Sequence, residues 1–570
     1  MAKKVAEIVV EVLQAAGVRN CYGIVGDTLN TFAVALSKSE IAWVHMRHEE
    51  AGAFAAQGEA LQTERLTAVA GSCGPGSLHF INGLYEANRN RAPVILIASQ
   101  IPRAEIGFNF IQEVDFKKIY ENCSVYCDMI LTPDQARRKT VIACQTAIAK
   151  QGVAVLIMPV DVADADAAPE PSYTIHQNRP VVRPSDTDLD HIARLLAAGN
   201  RVAIYAGSGC RHAHDEIVAL AEKLKAPVAH TSRGKDSIEY DNPYCIGMTG
   251  IIGGEAGYSA LLGCDTLLML GADFAWRQFY PERANIIQVD IDPTHIGRRH
   301  PVALGVVGDI KDTVTALLPR VAEKSDSSFL SKYVSLHRRA HEKLSAHLSP
   351  GKKGKISGIY LTSVIDRLAD EDALFASDDG TTTVWLHRHV RANGKRRMHA
   401  SLLHGTMGGG VATALGLQKS HSGRQVIALV GDGGFTMMLG DLLTTVQENL
   451  PVKICVYDNA KLGFVEIEQK TEGLLPTFTE NKNPDFGAVA QAMGLWGKTL
   501  SDPDATDEAV SEWLAQPGPA LLNVHVAPLE LVIPPFTALK PAYGMAVYSL
   551  KAIMHGKGGD VFEMVSENFL

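Results

Sequence analysis

Residues 429–438 read LVGDGGFTMM, one aspartate among three glycines with apolar runs on both sides. RQVIALV before it is short, apolar and β-rich, and FTMMLGDLLTTVQEN after it reads as a helix. Gly431, Asp432, Gly433 and Gly434 therefore belong to a strand-to-helix loop at the carboxyl end of a parallel strand, where open α/β sheets bind ligands. Two readings compete. One is a plain turn, for which Asp-Gly is a common pair. The other is an anchor. A helix N-terminus offers free N–H groups and a positive dipole end to a phosphate, and Asp432 offers a hard oxygen to a Mg²⁺ ion.

The next unit favours the anchor. The strand KICVY ends in Asp458, Asn459, Ala460, Lys461, Leu462 and Gly463, and 25 residues lie between Gly433 and Asn459. A second oxygen ligand, the Asn459 amide, thus arrives at the end of a neighbouring strand. No Walker A loop is present, and GSGC at 207–210 lacks the third glycine of a dinucleotide fingerprint. Upstream, HMRHEEAGAFAAQGEA places Glu49 where the strand AWVHM meets an alanine-rich helix. Its plain reading is a solvated helix start, where Glu is common. RHAHDE at 211–216 likewise reads as a solvated helix start rather than a metal clip.

Short apolar strands alternate with helical stretches in three blocks, the pattern of parallel α/β domains. The blocks run over 1–180, 181–345 and 346–530, with a tail at 531–570. The Pro-, Asp- and Ala-rich ADADAAPEPSYTIHQNRPVVRPSD and the glycine-rich LSAHLSPGKKGKISG read as linkers between them. Blocks one and three have similar size and alternation. The 570 residues carry a net charge of -9, which argues against a nucleic-acid partner. Nine scattered cysteines without a paired CxxC pattern read as buried, reduced thiols of a cytosolic protein. The N-terminal MAKKVAEIVVEVLQAAGV reads as an amphipathic helix, and no uncharged run is long enough to span a membrane.

GIVGDTLN, RHEEAGAFAAQGEA, AGSCGPGSLHFINGLYEANRNRAPV, RGKDSIEYDNPYCIGMTGIIG, HGTMGGGVATALG, GDGGFTMMLGD and LGFVEIE span all three blocks in order. On these stretches the chain resembles the thiamine-diphosphate enzymes of the pyruvate oxidase and acetolactate synthase group, whose signature is the GDG-x25-N spacing. Within that group it is most similar to the quinone-linked pyruvate dehydrogenases, peripheral membrane flavoproteins. The resemblance implies pyrimidine-binding, central FAD-binding and diphosphate-binding domains in that order, and thiamine diphosphate, Mg²⁺ and FAD as cofactors. Glu49 is implied as the carboxylate on N1′ of the aminopyrimidine, promoting the tautomer that deprotonates the thiazolium C2. Gly405, Thr406 and Met407 resemble the aminopyrimidine segment, although Met407 alone would read as core filler. Gly380 and Thr381 resemble diphosphate contacts, and Gly26, Gly433, Gly434, Leu462 and Gly463 join the cofactor set. Asp432, Asn459 and the Lys461 carbonyl resemble the metal ligands. Gly250, Ile251, Ile252, Gly253, Asp273, Phe274, Ala275, Trp276, Arg277, Asp290 and Ile291 fall where family members hold the flavin. From the residues alone, these are only loops after strands.

The implied reaction is oxidative decarboxylation of pyruvate to acetate and CO₂, with electrons passing through FAD to a quinone. Gln112 would orient the substrate, and Phe464 matches an aromatic that the quinone-linked enzymes move into the active site. A homotetramer is implied, cytoplasmic or peripheral on the inner face of the cell membrane. Rival readings are a phosphate- and O₂-dependent oxidase, an acetolactate-synthase-like carboligase with structural FAD, and a non-catalytic nucleotide-binding protein. Two positions depart from the family. Ile111 replaces the usual phenylalanine beside the reacting carbon, and Asp458 precedes Asn459 where asparagine is usual. In the tail, Val561, Phe562, Val565, Phe569 and Leu570 share one helical face, fit either for a lipid surface or for docking on the protein.

Overall fold

The computed structural model describes residues 3–167, 171, 173–177, 181–346, 348–352, 354–528, 530, 539–555 and 561. Three six-stranded sheets follow one another along the chain, and within each every neighbouring pair of strands is parallel.

The first unit opens with helix α1 (Val5–Ala15), which buries Val5, Ile8, Val9, Val12 and Leu13 and turns Glu11 outward to Lys3, as its amphipathic pattern predicts. Its strands are β1 (Asn20–Ile24), β2 (Ala42–His45), β3 (Thr67–Gly71), β4 (Val94–Gln100), β5 (Tyr126–Met129) and β6 (Val153–Pro159). They lie in the order β2-β1-β3-β4-β6-β5. Helix α2 (Glu49–Thr63) follows β2, and α3 (Ile81–Arg89) precedes β4. VILIASQ and VAVLIMP are buried at every position, as strands covered on both faces must be.

The second unit holds β7 (Val202–Ala206), β8 (Val228–His230), β9 (Cys245–Met248), β10 (Thr266–Leu270), β11 (Asn285–Asp290) and β12 (Leu304–Val307), in the order β12-β11-β10-β7-β8-β9. This is the doubly wound order of dinucleotide-binding sheets. A small antiparallel ribbon of β13 (Gly351–Lys352) and β14 (Lys355–Ile356) leads into the third unit.

There β15 (Leu374–Ser377), β16 (Arg397–Ala400), β17 (Val426–Gly431), β18 (Lys453–Asp458), β19 (Trp496–Leu500) and β20 (Ala520–His525) lie as β16-β15-β17-β18-β20-β19. Counted within each unit, the first and third sheets share one order, 2-1-3-4-6-5. Helices α4 (Thr381–His389), α5 (Gly409–Ser420), α6 (Asp432–Met437) and α7 (Gly463–Thr471) cover this sheet, and α8 (Leu539–Met554) packs on α7. The helix expected after the glycine loop is broken. It stops at Met437, a 3-10 turn spans Leu439–Asp441, and a second helix runs Leu442–Gln447. Asp441 at the break accepts the Arg47 backbone N–H of the first unit at 2.9 Å.

The first and third units meet where α2 crosses α5. Both helices are buried almost all round, which their Ala- and Gly-rich sequences allow. A Cβ on Gly58 would stand 2.7 Å from the Thr413 carbonyl, and one on Gly416 would fall on the Ala55 carbonyl.

Of the tail's expected apolar face, Phe562, Val565, Phe569 and Leu570 lie outside the described residues. Val561 packs with Tyr548 and Ala552. No helix among the described residues is long and apolar enough to cross a membrane.

Candidate functional site

In the third sheet the strand order reverses between β15 and β17, so the loops after those strands flank the crevice where such sheets bind ligands. After β15 come Asp378, Asp379, Gly380 and Thr381, which starts α4; after β17, Asp432 starts α6. A side chain on Gly380 or on Gly431 would meet open space, so the backbone at both is approachable by a phosphate. The Asp378 carboxylate is buried beneath these loops and accepts the Gly410 N–H at the start of α5 at 2.6 Å. It also packs so tightly on Gly434 that no side chain fits there. Burial pushes its carboxyl up to about 7, against the N–H groups of residues 408–410 that favour the charge.

Asp432 is 1% exposed. Its Oδ2 accepts from the Asn481 and Asn483 amides at 2.9 and 2.8 Å, and Asn483 also donates to Asp458 Oδ1 at 2.8 Å. Burial raises the Asp432 carboxyl, the two amides oppose this, and the nearby Asp458 adds to the rise. Asn459 Oδ1 accepts the Lys461 N–H at 2.9 Å, and the Lys461 ammonium lies 3.0 Å from the buried Glu466. A Cβ on Gly433 would touch Leu462, Met407 and Asn481, and one on Gly463 would stand 3.9 Å from Thr381. The structure thus brings together Gly380, Thr381, Met407, Asp432, Gly433, Gly434, Asn459, Lys461, Leu462 and Gly463. Phe464, half-buried, follows Gly463 on α7. Among the described residues no three His, Cys, Asp or Glu side chains stand as a metal cluster. The set that the sequence leads one to expect here, one carboxylate with an amide and a carbonyl, would be of another kind and would suit Mg²⁺.

The first unit gathers a second set at its own reversal point, between β1 and β3. Glu49 is the first residue of α2, 7% exposed, where the helix N-terminus favours a carboxylate. Its Oε2 is 2.9 Å from His79 Nδ1, and His79 stacks on His48 at 4.8 Å. Gly26 abuts Ser72, and Gln112, exposed and at φ 65°, sits over Gly74 with Oε1 3.1 Å from Cys73 Sγ. Glu49, Gln112 and Gly26 therefore border one loop, residues 72–76. Ile111 next to Gln112 is 79% exposed.

Helix α3 ties the two sets together within the chain. Asn82 donates to Glu50 Oε1 at 2.6 Å and to Thr406 Oγ1 at 3.0 Å; Glu86 accepts from Ser401 at 2.7 Å; Arg89 donates to the Leu403 carbonyl at 3.2 Å. Gly405 and Thr406 are held by these contacts. Among the described residues no hydrogen bond joins Glu49 itself to the third unit.

In the central unit, residues 250–253 follow β9, and Gly250 (φ 116°) lies so close to the Phe274 ring that a Cβ would stand 2.6 Å from it. Phe274 tilts against the 43%-exposed Trp276 at 5.1 Å; Ala275 and Arg277 are exposed beside it. Asp273 pairs with Arg298 and Arg299; burial would raise its carboxyl, but the two guanidinium groups hold it below the usual range. Asp290 is buried with His295 Nδ1 at 3.2 Å, and Ile291 beside it is exposed. Thr249 Oγ1 is buried without a hydrogen-bond partner. An unfilled hydroxyl beside a glycine loop and a half-open aromatic pair fits a bound ring system with polar edges. The reversal point of this sheet, between β7 and β10, is closed by Gly207 packing on Gly271. RHAHDE forms no metal clip: His212 pairs with Glu64 at 3.0 Å and His214 stacks on Tyr240.

Sequence reasoning missed Asn481, Asn483, Asp378, His79 and Asn82. The sequence signal available for the first two was the NKN pattern shortly after the loop at 458–463.

Three family models match the chain: "Thiamine pyrophosphate enzyme, N-terminal TPP binding domain" at residues 3–119, "central domain" at 189–317 and "C-terminal TPP binding domain" at 378–524. The putative thiamine pyrophosphate-containing protein YdaP of Bacillus subtilis is 31% identical over 99% of this chain and 98% of its own length. Pyruvate oxidase of Lactiplantibacillus plantarum is 29% identical over 91% of this chain and 88% of its own. Acetolactate synthase isozyme 2 large subunit of Escherichia coli is 29% identical over 93% and 96%.

Proposed function

The chain belongs to the thiamine pyrophosphate enzyme family, and we propose that it converts pyruvate, water and a quinone to acetate, CO₂ and the quinol. The observation that carries this reading is the Gly250 loop held against the Phe274 ring, with the buried, unpartnered Thr249 hydroxyl preceding it, on the same chain as Asp432. When bound, thiamine diphosphate would supply a nucleophilic carbon and an electron sink, Mg²⁺ a charge to balance the diphosphate, and FAD a two-electron acceptor. Asp432, Asn459 and the Lys461 carbonyl would hold the metal, with Asn481 and Asn483 fixing the carboxylate. The Glu49 carboxylate would hold the proton on the aminopyrimidine, with His79 fixing its orientation. Gln112 would direct its amide at the substrate carboxylate, its oxygen being engaged by Cys73.

Among the described residues Glu49 itself makes no hydrogen bond to the third unit, and its side-chain partner is His79 of its own unit, which agrees with a site completed by a second copy and hence with a dimer or dimer of dimers. Helix α8 lies on α7, with Tyr548 under the Lys470 ammonium at 5.2 Å and Lys551 donating to the Gly473 carbonyl. We assign peripheral membrane contact to the tail on the family likeness alone.

A second reading is a carboligase with structural FAD. The exposed Ile111 favours it, because a smaller, aliphatic side chain in place of an aromatic leaves room for a second carbonyl compound. The test is the visible spectrum of the purified protein under anaerobic conditions, before and after pyruvate, thiamine diphosphate and Mg²⁺. A flavin band that bleaches, and is reoxidised by a quinone without acetyl phosphate forming, is expected. Reoxidation by O₂ with acetyl phosphate as product would assign the phosphate-dependent oxidase. A band that stays while acetolactate accumulates would assign the carboligase.

A further inference from the structure

We propose that α4 is a strut between the two cofactor positions, and that Arg388 at its far end is a positioning residue for the flavin loop. The inference rests on the flavin reading above. Helix α4 is nine residues long, about 13 Å at 1.5 Å per residue. At its N-terminus, a side chain on Gly380 would meet the open space of the crevice, and Thr381 borders Gly463 of α7. At its last turn the Arg388 guanidinium crosses into the second unit. Its Nε donates to the Ile252 carbonyl at 2.8 Å and its Nη2 to the Gly253 carbonyl at 3.2 Å. Those are backbone oxygens of the loop after β9, the one that bears Gly250 against Phe274.

The geometry makes the helix a rigid link. Val384, Trp385 and Leu386 are buried, and Trp385 stacks on Tyr457 of β18 at 5.0 Å. Asn459 follows that strand directly, so α4 is keyed to the metal loop as well. His387 is 2% exposed and its Nδ1 bonds to the Thr383 carbonyl at 2.8 Å, which holds the last turn in register. On the receiving side, the loop is braced by two hydrogen bonds of its own, Gly253 N–H to the Gly250 carbonyl at 2.9 Å and Gly254 N–H to the Met248 carbonyl at 2.8 Å. A planar fork that engages two successive carbonyls adds direction to that bracing, which an ammonium cannot reproduce. Ordering the N-terminus of α4 on a diphosphate therefore orders the flavin loop, and by linkage the flavin tightens the diphosphate equally.

The experiment is FAD binding to the full-length protein, read as flavin absorbance retained after gel filtration over a range of FAD concentrations. It is run with and without thiamine diphosphate and Mg²⁺, on wild type, Arg388→Ala and Arg388→Lys. Wild type should bind FAD at least about fivefold more tightly when thiamine diphosphate is present, the low end of ordinary coupling. Arg388→Ala should weaken FAD about tenfold and erase the dependence on thiamine diphosphate, while thiamine diphosphate binding without FAD stays within about twofold, consistent with the loss of a charge-assisted pair of hydrogen bonds. Arg388→Lys should fall between the two. If Arg388→Ala does not fold, Arg388→Lys decides: full affinity with full dependence overturns the proposal. A folded Arg388→Ala with wild-type affinity and dependence overturns it and leaves the flavin reading standing. A wild type that takes up no FAD at any concentration overturns both.

Discussion

Glu49 earns its place by its surroundings more than by its type. A carboxylate at a helix start is common, but this one is buried, touches an imidazole and shares a loop with Gln112. Replacing Glu49 by Gln keeps the shape and removes the proton carrier. Turnover should fall by about 10²-fold or more, while binding of thiamine diphosphate, followed by fluorescence, changes little; unchanged turnover would remove Glu49 from the chemistry. Asn483 presents the opposite case, a side chain that on the proposed reading would not meet the metal but fixes the Asp432 carboxylate that would. Asn483→Ala should weaken Mg²⁺ binding in the presence of thiamine diphosphate by about 10-fold or more, as outer-shell losses typically do. Asp378 carries a third expectation, in pH. Its carboxyl titrates at about 7 in the folded chain and at about 3.9 unfolded, so the folded state holds an extra proton between those values. Its contribution to stability is complete below about pH 4 and is lost as pH rises through 7. Urea melts of wild type and Asp378→Asn should therefore lose up to about 1.4 kcal/mol of their difference per pH unit between pH 4 and 7, then run level. Parallel curves across that range would show that Asp378 does not titrate there.

At the scale of elements, what could be read in advance divides by distance along the chain. The glycine loop and Asn459 sit at the ends of adjacent strands with a fixed spacing, so their nearness was legible. Asn481 and Asn483 reach Asp432 from about fifty residues downstream, on a loop without periodicity, and the short NKN pattern does not say to which strand end it returns. Strands were legible from their apolar runs, but their neighbours were not, because periodicity reports which face is buried and not what lies alongside. The long helix expected after the loop failed for a related reason: Asp441 is drawn to the Arg47 N–H of another unit, a tertiary pull that propensity cannot register. The α2–α5 crossing gives an element-scale prediction. Gly416→Val would drive methyl groups into the Ala55 backbone, and such overpacking costs about 1–3 kcal/mol. A thermal melt should show a clear drop, and an unchanged midpoint would mean that the two helices can part.

Across the whole molecule, the repeated order 2-1-3-4-6-5 places two equivalent crevices on one chain, one bordered by the Glu49 carboxylate and the other by the loops of Gly380 and Asp432. Similar size and alternation hinted at this repetition in the sequence, whereas the shared topology needed the structure. The helix crossing that joins the two halves has a mechanical consequence. Backbones in that contact, at Gly58 against Thr413 and Gly416 against Ala55, leave little lubricating layer, so the halves form a single stiff body rather than two plates on a pivot. Cofactor-induced movement is then restricted to the loops that rim the crevices. Small-angle scattering recorded with and without thiamine diphosphate and Mg²⁺ should give superimposable curves for an unchanged assembly, and a contraction of the particle would place a hinge where the close helix contact leaves room for none.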